Sequence, residues 1–373
     1  MRNTVNPPAL GTLPCPRRRG RVRAFSLVEL LTVIFIISLL IAILVPSLSA
    51  ARNQAKKTVT KSALNAIETG LQMFQNDNAS SFPQTNGFPP SFSHPPLGKA
   101  NFESHLGQFP FLPNPHPLVY GAHWLPAMLM GVDLQGYVQR RSVPRANNLR
   151  DRPWLWYTPD PTGDGKLIPR APLYTDPGSL RTVATKDLPG RPNRALFPDW
   201  NADRLDELDM QDLPVIVDAW DQPILYYAAN THGRASNMVA DVHFEKNSEY
   251  NGGPQETGPP VYFHQDNEGF TGNAIDAEGV SNGWDFGGGE QRHTMALSGA
   301  KLSAQDLIDP ANRDTFARYV VDRKIFGTLT ANTPETAPLR PVNRDTYLLI
   351  SPGVDGRYGT NDDVSNLPPW PNN

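Results

Sequence analysis

The sequence predicts an α+β fold: one long N-terminal α-helix, membrane-embedded in its first half, packed on a small antiparallel β-sheet decorated by large loop insertions. Three observations predict it. From Leu30 to Ala51 there is no charged residue over 22 positions. Beyond Arg52, apolar residues recur at spacings of three and four. The rest of the 373-residue chain is punctuated by 38 Pro and 29 Gly, with only short β-rich runs such as Ile224 to Tyr227 and Thr346 to Ser351.

The uncharged run comes first. As a helix its 22 residues reach ~33 Å at 1.5 Å per residue, enough for a hydrocarbon core of roughly 30 Å. A secretory signal has a shorter apolar core and a small-residue cleavage site behind it. Here the run continues into the polar Arg52-Asn53-Gln54-Ala55-Lys56-Lys57, as an anchor does. Six Arg and no acid precede Phe25, so the N-terminus is expected to stay in the cytoplasm and the rest to be exported. Glu29 sits at the start of the apolar segment. A carboxylate there costs on the order of several kcal/mol unless it is paired, which points to a functional partner.

Composition bounds the exported part. Residues 1–61 hold ten Lys or Arg and one acid, which leaves 24 basic and 36 acidic residues beyond them. Such an acidic domain is a poor generic nucleic-acid binder, and no nucleic-acid partner is expected. The single Cys15 lies in the N-terminal leader, so the exported chain carries no disulfide to pin its loops.

The elements follow in order. Val59, Ala63, Ala66, Ile67, Gly70, Leu71 and Phe74 form a core-facing stripe, with Lys56, Lys57, Lys61 and Glu68 off it. Pro46 removes one backbone hydrogen bond and should kink the helix. Residues 79–117 read as an irregular connection, and His123 to Met130 as a short helix. His105, His116 and His123 lack metal-ligand spacing, and His232, His243, His264 and His293 are too scattered to claim a site. Residues 138–212 read as an insertion, in which Asp160 to Gly165 is a turn rather than a calcium loop. Pro214 to Tyr227 reads as strand, tight turn, strand around Trp220, with Ile224 to Tyr227 under the long helix. Residues 230–295 form a second excursion with a short strand at Val261 to His264. Helical pieces are expected over 304–308 and 316–325. After the strand Thr346 to Ser351, the glycine-rich stretch 351–364 brings three carboxylates together: Asp355, Asp362 and Asp363. No nucleophile–base–orienter set or cofactor fingerprint is present, so no enzyme activity is expected.

Several stretches carry a resemblance. The Arg-rich leader followed by Ala24 and Phe25-Ser26-Leu27-Val28-Glu29 resembles the prepilin signal of type IV pilins and type II secretion pseudopilins. The segment Ile67-Glu68-Thr69-Gly70-Leu71 through Asn78 and Phe82-Pro83 resembles the end of the long helix in the major, G-type pseudopilin. So does Asp218-Ala219-Trp220-Asp221-Gln222-Pro223 its turn-and-strand, and 351–364 its C-terminal calcium loop. The resemblance implies a pilin-like fold laid out as a leader over 1–24, a transmembrane and assembly half-helix over 25–51, and an amphipathic half over 52–78. A globular domain over 79–373 would follow, with insertions at about 79–212 and 230–330. It implies cleavage by prepilin peptidase between Ala24 and Phe25, although the family's usual residue before the cut is Gly, and N-methylation of Phe25. It implies that Glu29 pairs with a neighbour's N-terminus, that Pro46 kinks the helix, and that Asp355, Asp362 and Asp363 hold a structural Ca²⁺. The implied function is a structural subunit of a type II secretion filament, with other pseudopilins, an inner-membrane assembly platform and membrane lipid as partners. The implied location is the inner membrane, crossed once, with the globular domain in the periplasm. A type IV pilin, or a binding module or hydrolase on a pilin-type anchor, are the alternatives.

Overall fold

Helix α1, Leu27–Asn78, runs for 52 residues in the computed structural model. The structure describes residues 26–80, 82–91, 120–138, 142–145, 165–192, 210–231, 261–272, 283–286, 293, 295, 304–309, 315–334, 337 and 339–369. Ala24, Phe25, Cys15, His105, His116, His232, His243 and residues 160–164 lie outside them. The chain divides into two compact units, 1–52 and 53–373.

In the first unit every described residue of α1 is exposed, and an 18-residue window within the helix has mean hydropathy 3.0. Three of its hydroxyls bond back to their own helix: Thr32 Oγ1 to Val28 O (3.0 Å), Ser38 Oγ to Ile34 O (2.7 Å) and Ser47 Oγ to Leu44 O (2.9 Å). Polar groups satisfied within the helix are what a hydrocarbon solvent demands. The helix is continuous across Pro46.

In the second unit α1 buries Thr60, Leu64, Ile67, Gly70, Leu71, Phe74 and Asn78. The stripe is turned slightly from the expected one, and Val59 is 61% exposed. Thr60 takes the inward place because its Oγ1 accepts the Ala219 N–H (3.3 Å). Phe74 packs on Phe82, Tyr137 and Tyr174 at 5.8, 5.9 and 5.2 Å between ring centroids. Asn78 closes the helix, accepting from Tyr137 Oη and donating to Tyr174 Oη. Gly70 lies so close to Thr175 that a Cβ there would collide with its hydroxyl.

Strands β1 (Thr182–Ala184) and β2 (Pro214–Ile216) form an antiparallel pair. A second sheet has the antiparallel order β3-β4-β5, from Leu225–Ala228, Tyr347–Ser351 and Val364–Ser365. The expected strand–turn–strand joins β2 to β3. Ile224 N–H donates to Ile216 O (2.8 Å), and Asp221 takes φ 68° in the turn. The expectation that this β run lies under the long helix needs amending. The helix seated on β2 and β3 is α2, Gly121–Leu129, whose nine residues are all buried. Gly121 permits it, since a Cβ there would strike the Tyr226 carbonyl.

Side chains stand in for missing strands at the outer edge of β3 and along the part of β4 that β5 leaves unpaired. Outside β3, Ser91 Oγ accepts the Ala228 N–H (2.7 Å), and Asn267 Nδ2 donates to Tyr226 O (2.8 Å). Past the end of the short β5, Asn366 continues its pairing with β4, accepting from Leu349 N (2.9 Å) and donating to Tyr347 O (3.2 Å). Blocked edges resist pairing with other chains. Val261 to His264 is not a strand; it leads into a 3₁₀ turn, His264–Asn267, and then the single turn α3, Glu268–Thr271. That turn delivers Asn267 to the β3 edge. Three further short helices, α4 (Ala304–Ile308), α5 (Phe316–Val320) and α6 (Arg323–Phe326), complete the unit.

Candidate functional site

Two places carry the site residues expected from the sequence. The first is the start of α1. Ser26 N–H donates to Glu29 Oε2 (3.0 Å) and Glu29 N–H donates to Ser26 Oγ (3.2 Å), a reciprocal capping box. The Glu29 carboxylate is thereby held at the positive end of the helix dipole. Ala24 and Phe25, the expected cleavage and methylation positions, lie outside the described residues.

The second is the loop after β4. Asp355 and Asp362 come together at its neck. Asp362 Oδ2 accepts the N–H groups of Val354 (2.7 Å) and Asp355 (3.1 Å), and its Oδ1 accepts the Thr360 hydroxyl. Asp355 Oδ1 accepts Arg357 N–H (2.8 Å). Burial and then the Asp362 charge push the Asp355 carboxyl upward, partly offset by the Arg357 N–H. Asp363 reaches this pair with one oxygen only: its Oδ1 accepts Thr360 N–H (3.3 Å) and lies 3.4 Å from the Thr360 hydroxyl that Asp362 accepts. Its other oxygen is turned inward, where Oδ2 accepts from Tyr319 Oη (2.7 Å) and Gly359 N (2.9 Å). Burial pushes its carboxyl up to about 8, against those hydrogen bonds. Among the described residues no three His, Cys, Asp or Glu side chains are grouped to hold a metal. The neck therefore offers a hard cation two side-chain carboxylates and the Thr360 hydroxyl. These are the oxygen donors such an ion takes, and a positive charge there would relieve the repulsion within the pair.

A further acid, Asp218, is marked in the sequence only as part of a turn. Asp218 is 2% exposed and ties the turn before β3 to the end of β4. Its Oδ1 accepts Trp220 N (2.7 Å) and Gln222 N (3.0 Å), and its Oδ2 accepts the Ser351 hydroxyl (2.6 Å) from 133 residues away. Burial lifts its carboxyl to about 6. An Asp followed by a Trp and a Gln was a readable turn signal; the Ser351 partner was not. The histidines that are described serve the core. His123 Nδ1 accepts Tyr120 N–H (3.1 Å), and His293 Nδ1 accepts Tyr358 N–H (3.3 Å). His264 Nε2 lies 2.9 Å from Met295 O.

Comparison with known proteins places this architecture. Over 108 residues the chain is 30% identical to the type II secretion system core protein G of Pseudomonas aeruginosa, covering 28% of this chain and 75% of that protein. Over 58 residues it is 47% identical to the type IV wide pilus major component PilA4 of Thermus thermophilus, covering 16% of this chain and 44% of that protein. No family model and no solved structure matches the chain.

Proposed function

This chain belongs to the family of type IV pilins and type II secretion pseudopilins, and on that premise we propose that it is a pseudopilin of a type II secretion system. In this reading it is a non-enzymatic structural subunit that assembles with other pilin-like subunits at an inner-membrane platform and helps export folded proteins. The observation that carries the reading is the extent of likeness: it spans three quarters of core protein G but less than half of the pilus subunit. The higher local identity to the pilus subunit favours a second reading, a type IV pilin.

The rest of the proposal follows the chain. Residues 1–24 are a leader that prepilin peptidase removes between Ala24 and Phe25, after which Phe25 is N-methylated. The apolar half of α1 crosses the inner membrane, leaving residues beyond about 52 in the periplasm, and Pro46 kinks it. Glu29 pairs with the N-terminus of a neighbouring Phe25. Asp355 and Asp362, with Thr360, hold a structural Ca²⁺, while Asp363 braces the loop from inside.

Mass spectrometry of the chain from membranes tests the processing, with a mature terminus at N-methylated Phe25 expected. A terminus beyond Ala51 would remove the basis for assembly. Deleting the gene then separates the two readings: loss of protein secretion supports the pseudopilin, and loss of surface filaments with secretion intact supports the pilin.

A further inference from the structure

The ten residues after the uncharged run form a basic segment at the start of an otherwise acidic exported chain. Between Arg52 and Lys61 there are four cations and no acid, while residues 62–373 carry 24 cations and 36 acids. Lys56, Lys57 and Lys61 lie in the second unit. Among the described residues none of the three has an ion pair; the ion pairs there are Arg170–Asp133, Arg181–Asp221, Lys186–Asp212, Arg340–Asp322 and Arg344–Asp345.

Their placement is specific. On a helix of 3.6 residues per turn, Lys56 and Lys57 flank Thr60 on either side, and Lys61 continues the Lys57 side. Thr60 is buried against the 218–221 turn through Ala219 N–H. Lys56 and Lys57 are half-buried, and Lys56 Nζ lies 5.7 Å above the centre of the Trp220 ring. The lysine stems thus lie beside an aromatic turn, with the ammonium groups at its margin. Lys56 follows Ala51 by five residues, ~7.5 Å along the helix at 1.5 Å per residue, which is headgroup depth beyond an apolar span. Partly covered Trp and Lys with an apolar side and a charged tip suit that depth.

We propose that Lys56, Lys57 and Lys61, with Trp220 beside them, form a surface that seats the second unit on the phosphate headgroups of an anionic membrane. It rests on the membrane-anchor part of the reading above. The occupant is the lipid surface because the cluster begins within one and a half turns of the end of the uncharged run and the rest of the unit is repelled by that surface. The four cations of 52–61 give this end of the unit a local positive charge, so the attraction orients the subunit before assembly.

The test uses the full chain reconstituted in vesicles of phosphatidylcholine alone or phosphatidylcholine mixed with phosphatidylglycerol. Lysine acylation is followed residue by residue with mass spectrometry, and the exposed Lys324 is the internal control. Each near-surface lysine gains about fivefold in association with an anionic membrane. Phosphatidylglycerol should therefore slow acylation of Lys56, Lys57 and Lys61 about three- to fivefold relative to Lys324, and high salt should reverse this by screening. Equal rates in both vesicles overturn the proposal. Equal protection in both, insensitive to salt, also overturns it and assigns the lysines to a second copy of the chain. If the chain is removed from vesicles by alkaline carbonate, the anchor reading fails and this inference with it; retention with unchanged acylation refutes this inference alone.

Discussion

Helix α1 lives in two environments. From Leu27 to Ala51 every side chain is exposed; Leu30 is 59% and Phe35 66% accessible. From Thr60 onward every third or fourth residue is covered, and Ile67, Leu71 and Phe74 have no accessible surface. The hydrogen-bonded backbone is the same in both halves, so the difference lies in what completes each. The second half is stabilised by its own chain. The first half contains nothing to pack on, satisfies its hydroxyls locally, and holds its one carboxylate against its own N-terminus. It is built for a solvent and neighbours that the chain does not supply.

The largest expected effect breaks the first half without touching the second. Glu29→Ala removes the only acid of the apolar half. Removing one partner of a desolvated pair strands the other at a cost of ~3–5 kcal/mol. Membrane insertion and the melting of the second unit should be unchanged, while filament assembly is lost. Filaments of normal length and number from the Glu29→Ala chain would show that Glu29 has no pairing role.

A pair of truncations sharpens the same contrast. Phe74→Ala opens a space among Phe82, Tyr137 and Tyr174, and the second unit should lose ~3–5 kcal/mol in denaturant titrations. Leu40→Ala shortens an exposed side chain of the first unit and should change that stability by less than ~0.5 kcal/mol. Comparable losses for the two would mean that the halves are not energetically distinct.

How much of this was legible follows the range of the forces involved. A membrane span is written as an absence of charge over consecutive residues, and a buried helix face as a period, so both halves of α1 can be read locally. The stripe was displaced because Thr60, polar in sequence, earns its inward place from a backbone N–H 159 residues away. The sheet edges could not be read at all. Ser91, Asn267 and Asn366 are isolated polar residues whose partners are set only by the fold. The acidic C-terminal loop was legible as a cluster but not as directions. Nothing in the spacing says that Asp362 turns to its own loop and Asp363 to Tyr319.

That divergence yields the third prediction, on how the second unit is pinned without disulfides. Ca²⁺ at 100 times its Kd would stabilise the folded chain by about 2.7 kcal/mol. The chain in micelles should melt higher in millimolar calcium than in EDTA, with magnesium a poor substitute because it holds its waters. Asp355→Ala and Asp362→Ala should shrink the difference. Asp363→Ala should lower both melts and leave most of the difference, because its partners are Tyr319 and the loop backbone. Identical curves in calcium and EDTA would reduce the loop to a hydrogen-bonded turn.

The smallest expected effect separates the second unit from the first by pH, since among the described residues the buried ionisable groups lie in the second. Burial raises the Glu268 carboxyl from 4.5 to about 7. Between those values the folded chain keeps a proton that the unfolded chain releases. The destabilisation is absent below about pH 4.5, grows with pH through the window, and is complete above about pH 7. Burial lowers His123 to about 3 and His264 and His293 to about 4. Those rings resist a proton that the unfolded chain accepts below its ordinary 6.5, so their contribution is lost as pH falls from there. The two slopes oppose each other between roughly pH 4.5 and 6.5. Glu268→Gln keeps the shape and deletes one slope. It should stabilise the unit by ~1–3 kcal/mol at pH 8, by little at pH 4.5, and move the stability maximum to higher pH. Chemical denaturation at both values reads the difference; an equal gain at pH 4.5 and pH 8 would mean that the Glu268 carboxyl is not held protonated by its surroundings.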